Sequence, residues 1–199
     1  MIVQALLYFV FFQDQPKFIS NYWSIASLTA ISVVALLFAF YHAEAFSKRA
    51  TCMTGMMIGM TFGMAGGFLI GAFAGATNGM FIGSLVGMAV GMGFGYFTGR
   101  CCGVMGVMEG LMGGLMAGTM GAMLSVMLIL DNLVPFLYIL TAVELVIMAL
   151  SSYMLYKEFG NLNGSLAKID ASDFIILALA FDLVLTAIYV LGPKSGVVL

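Results

Sequence analysis

The sequence predicts an all-α, polytopic membrane bundle of about six transmembrane helices around a tightly packed, glycine-rich three-helix core. Three observations carry this. The 199 residues are 63% hydrophobic and only 8% charged, with a mean hydropathy of +1.13, whereas a soluble domain is about a quarter charged. Apolar runs reach the ~20 residues of a membrane-crossing helix, well beyond the ~10 of a barrel strand. Glycine recurs at every fourth position from Gly55 through Gly103. This composition excludes an ordinary soluble enzyme and a disordered chain. Seven Lys and Arg against nine Asp and Glu leave no basic surface for nucleic acid.

The elements follow in order within a single membrane domain covering 1–199. Residues 1–16 open with an apolar run too short to span. No basic residue precedes that run and no small-residue cleavage site follows it, so the segment reads as interfacial and not as a signal peptide. The first span, 18–41, has Tyr22, Trp23 and Tyr41 near its ends, where amphipathic rings anchor at the membrane interface. The second (47–76), third (79–99) and fourth (103–130) make up the core region 51–130. Asp131 and Asn132 turn the chain, and Pro135, tolerated in a first helical turn, starts the fifth span at 134–156. The polar stretch KEFGNLNGSLAKIDASD leads to the sixth, 171–191, which Gly192-Pro193 stops. The last two spans form a C-terminal helix pair within 131–199. Lys48, Arg49, Arg100, Lys157 and Lys168 fall on one side and only Lys17 and Lys194 on the other. The positive-inside bias therefore puts loops 42–50, 100–103 and 157–170 in the cytoplasm of a bacterial or archaeal membrane, with both termini outside.

The core region holds 21 of the 25 glycines and 15 of the 18 methionines, and its only charged residues are Arg100 and Glu109. A second glycine series runs Gly106, Gly110, Gly114, Gly118. Small residues at four-residue spacing let helix backbones approach in lipid, which predicts a tight bundle of spans two, three and four. GMMIGMTFGMAGGFLIGAFAG (55–75) matches GMFIGSLVGMAVGMGFGYFTG (79–99) at 11 of 21 positions. Successive spans run antiparallel, so the pair reads as a small inverted repeat, a device of alternating-access transporters.

Methionines stand at helical spacing: Met56, Met60 and Met64 on span two, Met88 and Met92 on span three, and Met108, Met112, Met116 and Met120 on span four, flanked by Met105, Met123 and Met127. A four-residue step puts two thioethers on one helix face. Thioether sulfur is a soft, uncharged ligand suited to Cu(I), and a ladder of weak sites lets an ion both bind and leave. Methionine is equally a flexible apolar filler. Cys52, Cys101 and Cys102 fall at the cytoplasmic mouth of the same spans, near Met53, Met105 and His42. They are too few for a disulfide framework and form no C-x-x-C pair. They read as thiol ligands for a thiophilic ion, or as sites of palmitoylation.

Three acids lie within spans: Glu109, Glu144 and Asp182. Intramembrane carboxyls face a cavity or a bundle interior. They read as a proton or cation relay, with Glu144 and Asp182 at similar depth as a candidate pair. One histidine and the lack of H-E-x-x-H, G-x-S-x-G and G-x-x-x-x-G-K-[ST] predict that the chain is not an enzyme.

The pairs Met56/Met60 and Met88/Met92 with the glycine stripes resemble the MxxxM and GxxxG patterns of Ctr-type copper transporters. The block GVMEGLMGGLMAGTMGAML is similar to glycine- and methionine-rich bacterial membrane proteins. The first resemblance implies copper passage through the methionine-bearing spans. The expectation is a protein that handles or transports a soft metal ion, Cu(I), through a methionine-lined bundle assisted by the acids. Its partners would be the lipid bilayer, a soft-metal donor or acceptor, and further copies or subunits in a membrane complex. The alternatives are a structural or assembly subunit docking through its glycine faces, and a proton-coupled small-solute exporter using Glu109. A lumen of thioethers, outward glycines or a cavity at Glu109 would respectively mark the three.

Overall fold

In the computed structural model the described residues are 23–47, 51–159 and 171–191, and they are helical apart from Thr51, Gly79 and the turn at Asp131 and Asn132, with no strand. The N-terminal segment 1–16, the loop residues Lys48, Arg49 and Lys168, and the stop at Gly192-Pro193 lie outside them. The α-helices are α1 (Trp23–Ser47), α2 (Cys52–Asn78), α3 (Met80–Gly99), α4 (Gly103–Met127), α5 (Leu133–Phe159) and α6 (Ala171–Leu191). Single 3₁₀ turns at Arg100–Cys102 and Leu128–Leu130 finish α3 and α4. Three helical stretches are long and apolar enough to cross a membrane: Cys52–Asn78, the run Met80–Met127 that contains α3 and α4, and Leu133–Lys157.

Local signals set the boundaries. Thr51 caps α2, its hydroxyl accepting from the Thr54 backbone N–H at 3.4 Å. Gly79 alone separates α2 from α3. It adopts φ 92° and donates its N–H to the Gly75 carbonyl at 3.1 Å, a conformation a Cβ would oppose. Gly103, at φ 68°, makes the equivalent reversal between α3 and α4. Hydroxyl groups inside the helices bond to carbonyls one turn back, as Ser32 does to Leu28 (2.8 Å) and Thr141 to Leu137 (2.7 Å). These hydroxyls thereby find their partners within their own helix, as an apolar solvent favours.

The glycine ladder explains how α2, α3 and α4 meet. Contacts fall in five layers: Gly59 with Gly99 and Gly106, Gly63 with Gly95 and Gly110, Gly67 with Gly91 and Gly114, Gly71 with Gly87 and Gly118, and Gly75 with Gly83 and Ala122. Residue numbers rise through α2 and α4 while they fall through α3, so α3 is antiparallel to both. A four-residue step advances each helix by about 6 Å, and one glycine from each helix, or Ala122, meets at every step. A Cβ added at Gly91 would lie 2.7 Å from the Gly67 Cα and 2.9 Å from the Gly114 Cα, backbone atoms that cannot turn aside.

The remaining helices wrap this unit through ordinary side chains. α2 packs against every other helix, which is why it is apolar or small on all sides. On α1, Ile25, Leu28, Val33, Leu36 and Ala43 are buried, and Phe40 meets Phe94 of α3 edge-on at 5.4 Å. α5 buries Leu137, Thr141, Met148 and Leu155 along one stripe and packs on α1 and α2. Phe38, Phe81, Phe97, Val104 and Tyr153 are exposed, an apolar exterior suited to lipid.

Gly93 is off the ladder, and a Cβ there meets nothing within 4 Å. Gly91→Ala is expected to destabilise the protein by about 1–3 kcal/mol through overpacking. Gly93→Ala is expected to be neutral or to stabilise by up to ~1 kcal/mol through helix propensity. Thermal unfolding followed by circular dichroism in detergent checks both, and equal effects would refute the layered contact.

Candidate functional site

The seam decides where the methionines point. An α-helix turns about 100° per residue. On α2, Met60 and Met64 each follow a seam glycine by one position and lie on the flank of the seam. On α4, Met112, Met116 and Met120 follow by two positions, about 200° round, and lie on its far side. Exposure agrees: Met64 is 41% exposed and Met112 is 65%. Met105 and Met108 are also exposed, while Met56, Met88 and Met92 are half-buried on the flanks. The axis between α2, α3 and α4 is filled by backbone, so the expected methionine-lined passage through these three helices is not formed. Nor do the seam glycines point outward as docking stripes, because they face one another.

A subset of the methionines does converge, on the outside of the seam. Met60 and Met64 of α2, Met112, Met116 and Met120 of α4, and two acids, Glu109 of α4 and Glu144 of α5, line one groove of about 500 Å³. Glu109, Met112, Met116 and Met120 stand at i, i+3, i+7 and i+11, a single helical stripe. Gly113 makes the groove possible: a Cβ there would lie 3.1 Å from the Met60 carbonyl oxygen and 3.2 Å from the Met64 side chain, so its absence lets the α2 methionines lie across α4. Glu109 is exposed and Glu144 half-buried. Met56, Met88, Met92, Met105 and Met108 do not line this groove.

The thiols form a separate corner. Cys52 opens α2, and Cys101 and Cys102 lie in the turn after α3. The Cys101 and Cys102 sulfurs are 3.5 Å apart, and the Cys102 thiol donates to the Cys52 carbonyl oxygen at 3.0 Å. Gly55 makes the room, since a Cβ there would fall 2.5 Å from the Cys101 sulfur and closer still to that of Cys102. Burial, followed by hydrogen bonds to Cys101 and Cys52, pushes the Cys102 thiol up to about 12. It is therefore neutral at physiological pH, and a metal bound there must displace its proton. Among the described residues no set of three His, Cys, Asp or Glu is placed to hold a metal ion. His42 lies within α1, stacked on Phe38 at 6.5 Å, and not in the following loop. Arg100 lies over the Tyr96 ring at 5.6 Å.

The acids separate into two surroundings. Glu144 shares the methionine groove with Glu109. Asp182 is buried on the α6 face whose Leu185 and Tyr189 close a crevice against Thr29 and Ser32 of α1 and Leu69 and Phe73 of α2. The structure thus brings Glu144 to Glu109 and not to Asp182. Sequence reasoning could not see this, because depth along a span does not say which side of the bundle a helix occupies. It also passed over Asn78 and Tyr189, whose polar atoms are buried on the α6 side. A polar tip within an apolar run was the available signal.

No protein-family model, curated protein or solved structure matches this chain.

At about pH 8, where an ordinary thiol is substantially ionised, Cys102 is expected to alkylate slowly, with a rate still climbing at higher pH. Gly55→Ala would push the sulfurs out of their niche and accelerate the reaction. Peptide mass spectrometry after timed alkylation reads both effects. Rapid alkylation of Cys102 in the parent chain would show that the niche does not form.

Proposed function

We propose that this protein spans the membrane six times and handles a soft monovalent metal ion, Cu(I), at the lateral groove between α2, α4 and α5. The observation supporting this reading is that five thioethers and two carboxylates from three helices line one groove. Thioethers bind Cu(I) through soft, neutral sulfur, and the carboxylates supply the negative charge that a cation needs in an apolar setting. The two carboxyls come from different helices, Glu109 from α4 and Glu144 from α5, so a cation between them would be held from both walls of the groove. Cys52, Cys101 and Cys102 would act as the cytoplasmic loading or release point, meeting a soluble soft-metal donor or acceptor. The one-residue turn at Gly79, the 3₁₀ turn at Arg100–Cys102 and the bend at Asp131 are consistent with helices crossing in alternation. The basic residues Arg100 and Lys157 belong to the same side in that arrangement.

The size of the groove favours one second reading. A volume of about 500 Å³ falls in the range of small-organic-ligand sites, and flexible methionine linings accommodate varied apolar shapes. A proton-coupled exporter of a small apolar cation would use the same two acids.

The test is Cu(I) binding by the detergent-purified protein beside two variants. One carries Met60, Met64, Met112 and Met116 changed to Leu, which roughly conserves volume and costs less than about 1.5 kcal/mol per well-tolerated site. The other carries Met88→Leu and Met92→Leu, outside the groove. Stoichiometric Cu(I), lost only in the groove variant, is the expected result. Equal binding by all three proteins, or none by the parent, would remove the metal reading.

A further inference from the structure

We propose that Asp182, together with the Tyr189 hydroxyl, forms a proton-binding site inside the bundle, separate from the methionine groove and independent of what that groove binds. The residues of α6 turned inward are Ala178, Asp182, Leu185 and Tyr189, spaced i, i+4, i+7 and i+11 on the face that packs on α1 and α2. Among the described residues three buried side-chain atoms have no hydrogen-bond partner: Asp182 Oδ1, Tyr189 Oη and Asn78 Oδ1. All three belong to this seam. Asn78 donates its amide to the Ile188 carbonyl at 2.6 Å, which fixes it at the last turn of α6. Long side chains on a helix lean towards its N-terminus, so Tyr189 leans towards Asp182, which is within electrostatic reach of it.

An ionised carboxylate only accepts hydrogen bonds, and burying one without a donor or cation is costly. α1 has no titratable side chain from Ile25 to Phe40, and the Tyr41 and His42 that follow lie beyond that stretch, His42 stacked on Phe38. α2 has none between Cys52 and Asn78. α3 reaches α6 through Phe94 against Phe181, ring centroids 6.0 Å apart. Its Tyr96 and the following Arg100 are engaged with each other at its end. The crevice beside Tyr189 has no room for a water molecule, so a hydrated metal ion does not fit, and the Ser32 hydroxyl there already donates to Leu28. A proton needs no cavity at the Asp182 carboxyl, and the closed packing of α6 corresponds to the neutral acid. Loss of that proton would leave a buried charge and drive α6 away from α1 and α2, so the closed form is favoured as pH falls.

The full chain in lipid vesicles is examined by infrared spectroscopy for a protonated-carboxyl band at neutral pH. It is also treated with a hydrophobic carbodiimide and mapped by mass spectrometry. The reagent takes the carboxyl proton on nitrogen while a carboxyl oxygen bonds to its central carbon, and the adduct rearranges to an N-acylurea with nothing leaving. The expected result is a band retained in Glu109→Gln/Glu144→Gln, lost in Asp182→Asn and shifted in Tyr189→Phe, with the adduct on the Asp182 peptide. Adduct mapping on the parent chain decides the matter if Asp182→Asn does not fold. A band undiminished in folded Asp182→Asn, an Asp182 peptide free of adduct, or protection of that peptide by sodium at constant pH would each overturn the proposal. Because these readouts involve no copper, they stand or fall separately from the groove.

Discussion

Contact between glycine backbones is the constraint on which the rest of this structure depends. In water each glycine would cost a helix about 1 kcal/mol relative to alanine. In an apolar solvent the backbone cannot surrender its hydrogen bonds, so the helix survives and the missing side chain becomes an opportunity for close approach. At Gly67, Gly91 and Gly114 three backbones come within van der Waals contact of one another, where dispersion and weak Cα–H···O contacts accumulate along the seam. Everything bulky must then face away. The outward methionines, the solid axis and the lateral position of the groove follow from this one choice of residue.

The sulfur-bearing side chains are consequently divided between two places. At one end Gly55 opens a niche for neutral, hydrogen-bonded thiols. Along the side, Gly113 lets methionines of two helices share a face with Glu109, and α5 adds Glu144 from across the groove. Each site exists because a glycine withholds a methyl group at one position, the same device that builds the seam put to a different use. The acid of α6 takes part in neither and is buried on the inward face of its own helix.

Much of the helix layout was legible in the sequence, for reasons that are local. The third and sixth spans match α3 and α6 to within a residue, and the start of α3 is marked by Gly79, punctuation that acts through backbone conformation alone. The start of α2 is set by Thr51, a capping residue that an apolar-run criterion overlooks, and the sequence reading began that span too early. α1 runs on to Ser47, past the interfacial tyrosine taken as its end, since Tyr41 is compatible with helix and marks only depth. What could not be read was the direction of each face around the bundle. The four-residue periods of glycine and methionine run in parallel along the chain, and only the offset between them, one residue on α2 and two on α4, decides which methionines meet. That offset becomes informative once the glycines are known to face inward. The partner of Glu144 depends on where α5 docks, and no local pattern records it.

A seam built without side chains also has mechanical consequences. A core of leucines can hop between rotamers and yield in small increments, whereas the seam of α2, α3 and α4 has almost no rotamers to change. Slipping an even four-residue ladder by one rung requires slack between the helices, and the connection through Gly79 alone and the tight reversal at Gly103 leave none. The three helices therefore form a single stiff body. α1, α5 and α6 meet that body through side chains, which have rotamers to change, and both the groove wall bearing Glu144 and the face bearing Asp182 belong to this more yielding shell.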